Sequence, residues 1–503
     1  MEMHNFVSPH FENHSMKKAI LVLDCGATNL RAIAVDASGK ILAAHTLPNR
    51  TVKDPFYKGG LIWDIEEIWQ KFITCTQKVM QSLTEIEIGA VTVTTFGVDG
   101  AAMKKDGSLC YPVISWQCDR TVAIMDNIQK YIDPQRLYDI TGLQSFHFNT
   151  INKLVWLKEN RPDVLEEMDY YVFMSSIFLQ KLSGEFVTDT TMAGTSMLTN
   201  LMDRDFSNEV LSNIGLESTI FPKLVEPGTV VGKTTTEAAG KLGISPGIPV
   251  VAAGHDTQFA VFGSGVGINE PVISSGTWEI LMVRANCQEV SLPAQNEGVT
   301  IELDAESGLI DLGVQWVASG VLEWVSKLLY PDLQQNPDLY DIMIEEALQI
   351  QAGSNGVTVI PELFQGGFVK GKGSIQGLQI DTGSAHIYRA TLEALSFYTR
   401  HGLEMLQKAG NFKAESVIVV GGGSKNRLWN QIRADVLGIP VRVSDRKETT
   451  VIGAAIYAMP GAGMFNSIEE AAKNIESNNY IYEPGANSKI YQQLFENYST
   501  VFK

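Results

Sequence analysis

The chain has 503 residues, of which 45% are hydrophobic and 19% are charged, a composition typical of a globular protein at a length that predicts two large domains. Its 39 Lys and Arg against 57 Asp and Glu give a net charge of −18, which disfavours general nucleic-acid binding because the phosphate backbone would be repelled. The five cysteines are scattered without a Cys-x-x-Cys pair, so no disulfide framework or zinc site is expected and a cytoplasmic location is favoured.

Residues 1–17 contain three histidines but no apolar segment, and we expect a disordered extension rather than a secretory signal. No apolar run in the chain is long enough to predict a membrane span. A β-meander is predicted next, because the apolar runs at 20–23, 30–35 and 40–44 are separated by turn residues.

The first turn of this meander, residues 25–29, follows Asp24. Gly26 lets the backbone come close to a ligand, successive backbone N–H groups can bind an anion, and Asp24 is a carboxylate of the kind that holds Mg²⁺. Taken alone, the stretch favours an ordinary hairpin turn over a cradle for nucleotide phosphates.

A helix is predicted over residues 63–83 with Asp64 as its N-cap. A strand at 90–95 ends in Phe96-Gly97-Val98-Asp99-Gly100, and ligands bind at such carboxyl ends in open α/β sheets. A short strand is predicted at 111–116, and residues 125–205 are predicted to be largely helical.

The stretch 226–234 resembles a phosphate-binding P-loop but does not qualify. Three residues, not four, separate Gly228 from Gly232, and Pro227 stands where the first glycine should be. We interpret it as a strand with turns.

A buried strand at 247–253 runs into Gly254-His255-Asp256-Thr257-Gln258 and a helix, for which Asp256 could simply be the N-cap. A glycine-rich link at 263–269 marks the expected domain boundary, giving domains at 18–265 and 266–503.

The second half opens on strands at 271–274 and 278–283 around the turn Ser275-Gly276-Thr277, which repeats the opening hairpin with different residues. Later elements are predicted as helices and strands in alternation, with a glycine-rich loop at 366–377: helices at 314–329, 341–350, 387–409, 426–437 and 450–459, and strands at 417–420 and 441–444. Two halves that each open on a hairpin indicate a duplicated α/β unit with a cleft between the copies.

Four loops rich in Gly, Ser, Thr, Asp and Asn follow apolar runs, and together they carry a family resemblance. Residues 24–29 resemble the first phosphate loop of the actin-like ATPase and sugar-kinase superfamily, residues 275–278 its second, and residues 421–426 its adenosine loop. Residues 254–258 are similar to the catalytic segment of the FGGY carbohydrate kinases, and the resemblance covers about residues 18–485.

The resemblance implies an α/β fold of two actin-like (ribonuclease H-like) domains with a central cleft. It implies ATP-dependent phosphorylation of a small ketose, with L-fuculose favoured and L-rhamnulose, xylulose and ribulose as alternatives; a non-catalytic sugar-responsive or scaffold protein is the alternative of another class. The cofactors would be ATP and Mg²⁺ and the partners a small-molecule ketose and ATP, without nucleic acid or membrane; homo-oligomer formation stays open.

The resemblance also assigns roles to individual residues. Asp256 is similar to the family's general base, and Asp24 and Asp256 are the expected metal-side carboxylates. The sugar-side residues are Gly97, Asp99, His255, Asp256 and Gln258. The nucleotide-side residues are Asp24, Gly26, Thr28, Asn29, Arg31, Ser275, Gly276, Thr277, Gly320, Gly422, Gly423 and Asn426.

Three of these interpretations have open alternatives. Arg31 could reach phosphate or form a surface salt bridge, and His255 could bind sugar or be a structural hydrogen-bond donor. The methyl group of a 6-deoxy ketose needs an apolar wall, for which Phe96, Trp116 and Trp278 are candidates, although each could equally be core.

Overall fold

The computed structural model describes residues 17–293, 295–363 and 372–502. The expected extension at 1–17 lies outside these residues except for Lys17. Of the glycine-rich loop expected at 366–377, residues 366–371 lie outside them as well.

Within the residues that the structure describes, the first half contains fifteen strands and ten α-helices. The strands are β1 Lys17–Cys25, β2 Asn29–Asp36, β3 Ile41–Pro48, β4 Val52–Lys53, β5 Leu61–Trp63, β6 Ile86–Thr95, β7 Gly100–Met103, β8 Val113–Ile114, β9 Tyr170–Phe173, β10 Thr188–Asp189, β11 Thr199–Asn200, β12 Asp205–Phe206, β13 Leu224–Val225, β14 Val230–Lys233 and β15 Pro249–His255. The helices are α1 Ile65–Ser82, α2 Val122–Met125, α3 Pro134–Thr141, α4 Thr150–Asn160, α5 Pro162–Glu167, α6 Met174–Ser183, α7 Thr190–Gly194, α8 Asn208–Asn213, α9 Thr236–Leu242 and α10 Asp256–Gly263.

The described part of the second half contains nine strands and seven α-helices. The strands are β16 Val272–Ser275, β17 Trp278–Asn286, β18 Thr300–Leu303, β19 Leu309–Val317, β20 Thr358–Ile360, β21 Ser374–Gln376, β22 Val417–Val420, β23 Val441–Ser444 and β24 Asn479–Tyr482. The helices are α11 Ser319–Leu329, α12 Leu339–Leu348, α13 Ser384–Gly410, α14 Arg427–Leu437, α15 Thr449–Ala458, α16 Ile468–Lys473 and α17 Ser488–Tyr498.

The two large sheets are built on the same plan. The first has the order β14-β15-β6-β1-β2-β3, and the second has the order β18-β19-β17-β16-β22-β23-β24. In each, an antiparallel meander (β1-β2-β3 or β16-β17-β19) is extended by two parallel strands (β6 and β15, or β22 and β23) and one antiparallel strand at the far edge. The expected duplication of an α/β unit is therefore confirmed.

Local sequence explains where helix α1 begins. In α1 the Asp64 side chain accepts a hydrogen bond from the backbone N–H of Glu67 at 3.0 Å, so Asp64 is the N-cap as predicted. Ile65, Ile68, Trp69 and Phe72 form the buried stripe of this helix, which packs on the first sheet.

One predicted element is wrong in part. The helix expected over 314–329 begins only at Ser319, because residues up to Val317 complete β19. The strand β18, which lies beside β19 at the edge of the second sheet, was not predicted.

The two halves meet through α10 and α15, which follow the equivalent strands β15 and β23. A Cβ at Gly263 would lie 1.9 Å from the carbonyl oxygen of Thr449, and a Cβ at Gly453 would lie 2.1 Å from that of Phe259. Glycine at both positions therefore lets the two backbones touch. The proposed division after residue 265 falls close to this crossing, and α15 packs on the first sheet although it directly follows β23 of the second sheet in the chain.

Among the described residues, no helix combines the length and the apolar character that crossing a lipid bilayer requires.

Candidate active site

Three polar loops leave the first sheet at one edge. In the parallel register Cys25 of β1 lies beside Thr95 of β6, and Thr95 lies beside His255 of β15. The turn after β1, the Phe96-Gly97 segment after β6 and Asp256 after β15 consequently emerge side by side. The sequence pattern that placed small and acidic residues after these strands thus brings them to one place.

A cavity of about 480 Å³ opens at this edge, between the first sheet and strands of the second, a volume within the usual range for small-molecule sites. The predicted residues Gly97, His255 and Asp256 line it. Its other lining residues are Phe96, Val98, Trp116, Leu143, Gln144, Phe146, Phe148, Asn149, Thr195, Thr257, Ile280, Met282, Gly298, Thr300, Glu302, Gly313, Val314 and Gln315.

Asp256 is the first residue of α10, and its carboxylate is not the cap of that helix. The N-cap is His255, whose side chain makes no capping hydrogen bond, so the interpretation of Asp256 as an N-cap is wrong by one position. The Thr257 hydroxyl donates to Asp256 Oδ1 at 3.3 Å. Burial raises the pKa of Asp256 above its ordinary value, and the nearby His255 partly counteracts this.

His255 stands between two carboxylates. Its Nε2 is 3.5 Å from Asp256 Oδ1, and its Nδ1 is 3.4 Å from Glu302 Oε2. Burial lowers the pKa of His255, but Glu302 and then Asp256 outweigh burial, so that the pKa lies above its ordinary value. Burial would raise the pKa of Glu302, and His255 instead brings it below the ordinary value.

Gln258 is buried behind this group rather than on the cavity wall. Its Nε2 donates to Glu302 Oε2 at 2.8 Å, and the residue is only 1% exposed. Glu302 itself lines the cavity. Sequence reasoning missed Glu302, because it lies in a strand that was not predicted and belongs to no recognisable motif.

Asp99 is likewise completely buried, and it is absent from the cavity lining. Its Oδ2 accepts hydrogen bonds from Trp63 Nε1 at 2.7 Å and from the backbone N–H of Trp116 at 3.1 Å, and its Oδ1 pairs with the buried ammonium group of Lys153. Burial raises the pKa of Asp99, although Lys153 acts in the opposite direction. In this structure Asp99 supports the cavity floor, and its predicted contact with sugar stays a prediction.

The segment before Asp99 is held in an uncommon backbone conformation. Val98 has φ = 63°, a left-handed value that is rare for a β-branched residue. Its N–H donates to Thr195 Oγ1 at 2.9 Å, and its carbonyl accepts from Thr150 Oγ1 at 2.8 Å and from Lys153 Nζ at 3.0 Å. At Gly97 a Cβ would lie 3.0 Å from the His255 ring, so glycine lets this loop pack against residues 254–258.

The apolar wall of the cavity is partly the one predicted. Phe96 and Trp116 line it, whereas Trp278 is 40% exposed and does not. Two further aromatic residues, Phe146 and Phe148, complete the wall with their rings stacked at 5.0 Å. Nothing in the sequence distinguished them from core aromatics.

Two further cavities continue the first towards the predicted adenosine loop. A cavity of about 220 Å³ shares Asp256 and Thr257 with the first. It shares Ser274 and Thr450 with a third cavity, of about 810 Å³, which Gly421, Gly422 and Lys425 line. Asp256 therefore lines both the first cavity, which contains the predicted sugar-side residues Gly97 and His255, and the second, which leads to the predicted adenosine loop.

The first hairpin presents its predicted residues unequally. Thr28 and Asn29 are exposed at the turn. Arg31 donates to Asp24 Oδ2 from Nε at 2.9 Å and from Nη2 at 2.5 Å, and it also pairs with Glu448 just before α15. Burial raises the pKa of Asp24 to about 6, against the lowering effect of Arg31. Arg31 thus joins the two halves through carboxylates; contact with phosphate stays a prediction.

The turn of the first hairpin is braced by a neighbouring amide. Asn49 Nδ2 donates to the carbonyl oxygen of Gly26 at 2.9 Å, and a Cβ at Gly26 would lie 3.0 Å from the carbonyl oxygen of Asn29. Gly26 thus serves the close turn that the sequence indicated.

The second hairpin offers its backbone and Thr277 rather than Ser275. The Ser275 hydroxyl donates to Glu279 Oε1 at 2.6 Å, inside a buried pair between Glu279 and Arg433. Gly276 and Thr277 are exposed. The N–H of Gly320, at the start of α11, donates to the carbonyl oxygen of Thr277 at 3.2 Å, which places Gly320 against this turn.

The adenosine loop combines an open surface with a structural cap. Gly422 is exposed, whereas Gly423 packs on the second hairpin, where a Cβ would lie 2.0 Å from Ser275 Oγ. Asn426 accepts a hydrogen bond from the backbone N–H of Trp429 at 3.0 Å and is the N-cap of α14. Its Nδ2 donates to Tyr388 Oη at 2.9 Å, so both ends of the Asn426 amide are engaged.

Comparisons with known proteins show which family this chain matches. Residues 19–263 match the N-terminal domain and residues 272–462 the C-terminal domain of the FGGY family of carbohydrate kinases. The chain is 47% identical over 478 residues to a protein named L-fuculokinase from Escherichia coli (strain K12), covering 95% of this chain and 100% of that protein. It is 43% identical to the L-fuculokinase of Haemophilus influenzae, covering 91% and 97%.

Among solved structures, the xylulose kinase from Rhodospirillum rubrum superimposes with a TM-score of 0.86 at 20% identity, covering 96% of this chain and 98% of that one. The expected fold of two actin-like α/β domains with a central cleft is confirmed.

Proposed function

The chain belongs to the FGGY family of carbohydrate kinases, and from this premise we propose that it transfers the γ-phosphoryl group of ATP to O1 of L-fuculose. The products are L-fuculose 1-phosphate and ADP. The observation that carries the proposal is the position of Asp256, which lines both the sugar-side cavity and the cavity leading to the nucleotide loops. The high identity to proteins named L-fuculokinase supports this choice of sugar.

In this reaction the O1 oxygen forms a bond to the γ-phosphorus while the bond from that phosphorus to the bridging oxygen of ADP breaks. Asp256 orients the hydroxyl and receives its proton. Because phosphoryl transfer has a loose transition state, the proton can leave late and a weakly basic carboxylate suffices. Burial strengthens this base by raising the pKa of Asp256.

Mg²⁺ would neutralise charge on the phosphates when bound. Asp24 fits this role because both hydrogen bonds from Arg31 go to its Oδ2. Within the described part of the chain, no hydrogen bond involves its Oδ1, which is therefore available. No group of three or more His, Cys, Asp or Glu side chains suited to a metal occurs there, which fits an ion that takes most ligands from water and phosphate. Asp24 and Asp256 are the carboxylates we assign to it, and chelation should abolish turnover.

On the sugar side, Gly97 and His255 line the space beside Asp256, and the aromatic wall of Phe96, Trp116, Phe146 and Phe148 receives the C6 methyl group. A methyl group buried against such a wall gains about 1 kcal/mol. Phe148→Ala should therefore weaken use of a 6-deoxy ketose more than use of a pentulose, which lacks that methyl group.

On the nucleotide side, the exposed turn residues Thr28, Asn29 and Thr277 and the backbone of Gly26 and Gly276 are assigned to phosphate oxygens. Gly422 is assigned to the adenosine part. A cytoplasmic location belongs to the same proposal, since all five cysteines are free.

A panel of ketoses in an ADP-release assay tests the assignment. We expect the highest kcat/KM with L-fuculose, and we expect ADP release to need both sugar and Mg²⁺. A higher kcat/KM with L-rhamnulose, xylulose or ribulose would replace the sugar and keep the reaction. Sugar-independent filament formation with ATP, without ADP release, would indicate a scaffold instead.

A further inference from the structure

Within the described residues, one carboxylate from the second half lines the sugar-side cavity. Glu302 lies on β18, the edge strand of the second sheet, and its side chain lines the cavity next to His255 and Asp256 of the first half. The sugar-side residues expected from the sequence all lie in the first half, so this group adds a contact from the opposite side.

The segment around Glu302 is fixed against the first half. The backbone N–H of Ile301 donates to the carbonyl oxygen of Gly142 at 2.8 Å, and Tyr138 Oη donates to the carbonyl oxygen of Val299 at 2.9 Å. Next to it, Leu303 packs against Gly194 of α7, where a Cβ would lie 3.0 Å from the Leu303 side chain. Glu302 is thus held in place before any ligand arrives, which lowers the entropy lost on binding.

The two oxygens of Glu302 have different environments. Oε2 accepts from Gln258 Nε2 at 2.8 Å and lies 3.4 Å from His255 Nδ1. Oε1 has no hydrogen-bond partner among the described residues. It is also not one of the fully buried polar atoms of these residues. One oxygen therefore anchors the side chain, and the other remains for a ligand in the cavity.

We propose that Glu302 is a sugar-binding residue, whose Oε1 accepts a hydrogen bond from a ketose hydroxyl other than the reacting O1, and that Gln258 is its positioning residue. The proposal rests on the ketose kinase activity proposed above and extends it to specificity. O1 belongs to Asp256, and the aromatic wall offers no acceptor. A carboxylate accepts hydrogen bonds only, so a ketose without a hydroxyl at this point leaves the largely buried Oε1 without a hydrogen bond.

The chemistry of Glu302 predicts a binding effect rather than a rate effect. Glu302→Gln preserves shape but removes the charge-assisted hydrogen bond, and it should raise the KM for L-fuculose about tenfold while changing kcat less than about threefold. The KM for ATP should not change. Glu302→Asp, which keeps the charge and withdraws it by one methylene, should give an intermediate KM and provides the second variant if the first folds poorly.

Glu306→Gln is the matched control. Its carboxylate lies four positions along the chain, pairs with Arg284 at 2.9 Å, is half exposed and does not line the cavity. The same chemical change there should leave both KM values at wild-type level.

Ketoses lacking one hydroxyl at a time identify the partner of Glu302. For one of them, the loss of kcat/KM relative to L-fuculose should be about tenfold in the wild type and nearly absent in Glu302→Gln, because the contact has already been removed. An unchanged ketose KM in Glu302→Gln, a fall in kcat alone, or equal losses for every deoxy sugar in both proteins would each overturn the proposal.

These results remain distinct from a failure of the proposed function. If the wild type phosphorylates no ketose, the kinase assignment fails first. If the wild type is active and Glu302→Gln behaves like Glu306→Gln, only the role of Glu302 is rejected.

Discussion

Replacing Asp256 by Asn tests the catalytic assignment with little disturbance to the fold. Asn keeps the volume and can still accept the hydrogen bond that the Thr257 hydroxyl gives at 3.3 Å, but it cannot take a proton. Because the N-cap of α10 is His255, the substitution removes no cap. The remaining structural effects are loss of the negative charge 3.5 Å from His255 Nε2 and loss of a charge in the first turn of α10, the latter worth about 0.3–1 kcal/mol.

The effect on chemistry should be much larger. Loss of a general base lowers kcat about 10²- to 10⁴-fold, which corresponds to about 3–5.5 kcal/mol of transition-state stabilisation. Since Asp256 lies at the junction of the cavities and not at the adenosine loop, ATP binding should persist. A coupled ADP-release assay measures turnover, and calorimetry with ATP measures binding.

Asp338→Asn is the control for the substitution itself. Asp338 is an exposed residue directly before α12 and makes no capping hydrogen bond, so this variant should match the wild type in kcat and Tm. Turnover of Asp256→Asn within about tenfold of the wild type would refute its role as base. A large drop in its Tm would show that our account of α10 is wrong.

Three further substitutions test the fold around the site. Gly453→Ala places a Cβ 2.1 Å from the backbone oxygen of Phe259 and should reduce the free energy of unfolding by about 1–3 kcal/mol; an unchanged urea midpoint would contradict the close crossing. Lys153→Met leaves the buried Asp99 carboxylate unpaired and should cost about 3–5 kcal/mol, largely recovered when Asp99→Asn is added; no recovery would contradict the pairing. Burial raises the pKa of Asp24 from 3.8 to about 6. Between these two pH values the folded chain retains a proton that the unfolded chain has released. The contribution of Asp24 to stability is therefore present below pH about 4 and is lost as the pH rises to about 6. In metal-free buffer, the stability of Asp24→Asn relative to the wild type should therefore increase by about 1 kcal/mol between pH 5 and 7.5, and a constant difference would show that Asp24 is ionised throughout.

The ends of strands were predictable from the sequence, because small and polar turn residues follow the apolar runs. The turn after β1, the Gly97 segment and Asp256 were each placed at a carboxyl end, and the parallel register brings them together. The strands at 417–420 and 441–444 have the predicted bounds. The duplication of the α/β unit was predictable because each half opens on a strand–turn–strand pattern.

The boundary inside 314–329 was not predictable from periodicity. Val314, Val317, Val321 and Val325 have helical spacing, yet the first two belong to β19 and the last two to α11. A strand that is buried on both faces lacks the alternation of apolar and polar residues by which strands are recognised in a sequence. The change from strand to helix occurs at Ala318, which has φ −126° and ψ −77°. No residue type near this position indicates such a backbone conformation.

Side chains that act across the fold also escaped prediction. Lys153 appears in sequence as an ordinary helix lysine, and only the folded chain shows it buried against Asp99. Glu302 reaches His255 from a strand of the other half. Asp99 and Gln258, which were expected on the sugar side, do not line the cavity in this structure, and their contact with sugar stays a prediction.

The shared plan of the two sheets places different side chains after equivalent strands. β15 and β23 are equivalent strands, but the first leads to His255-Asp256 at the start of α10, whereas the second leads to Arg446 and Glu448 before α15. Because α10 and α15 cross in backbone contact, the orientation of Asp256 depends on how the halves are packed. A bulkier residue at this crossing should thus reduce kcat as well as stability, with the KM for ATP less affected.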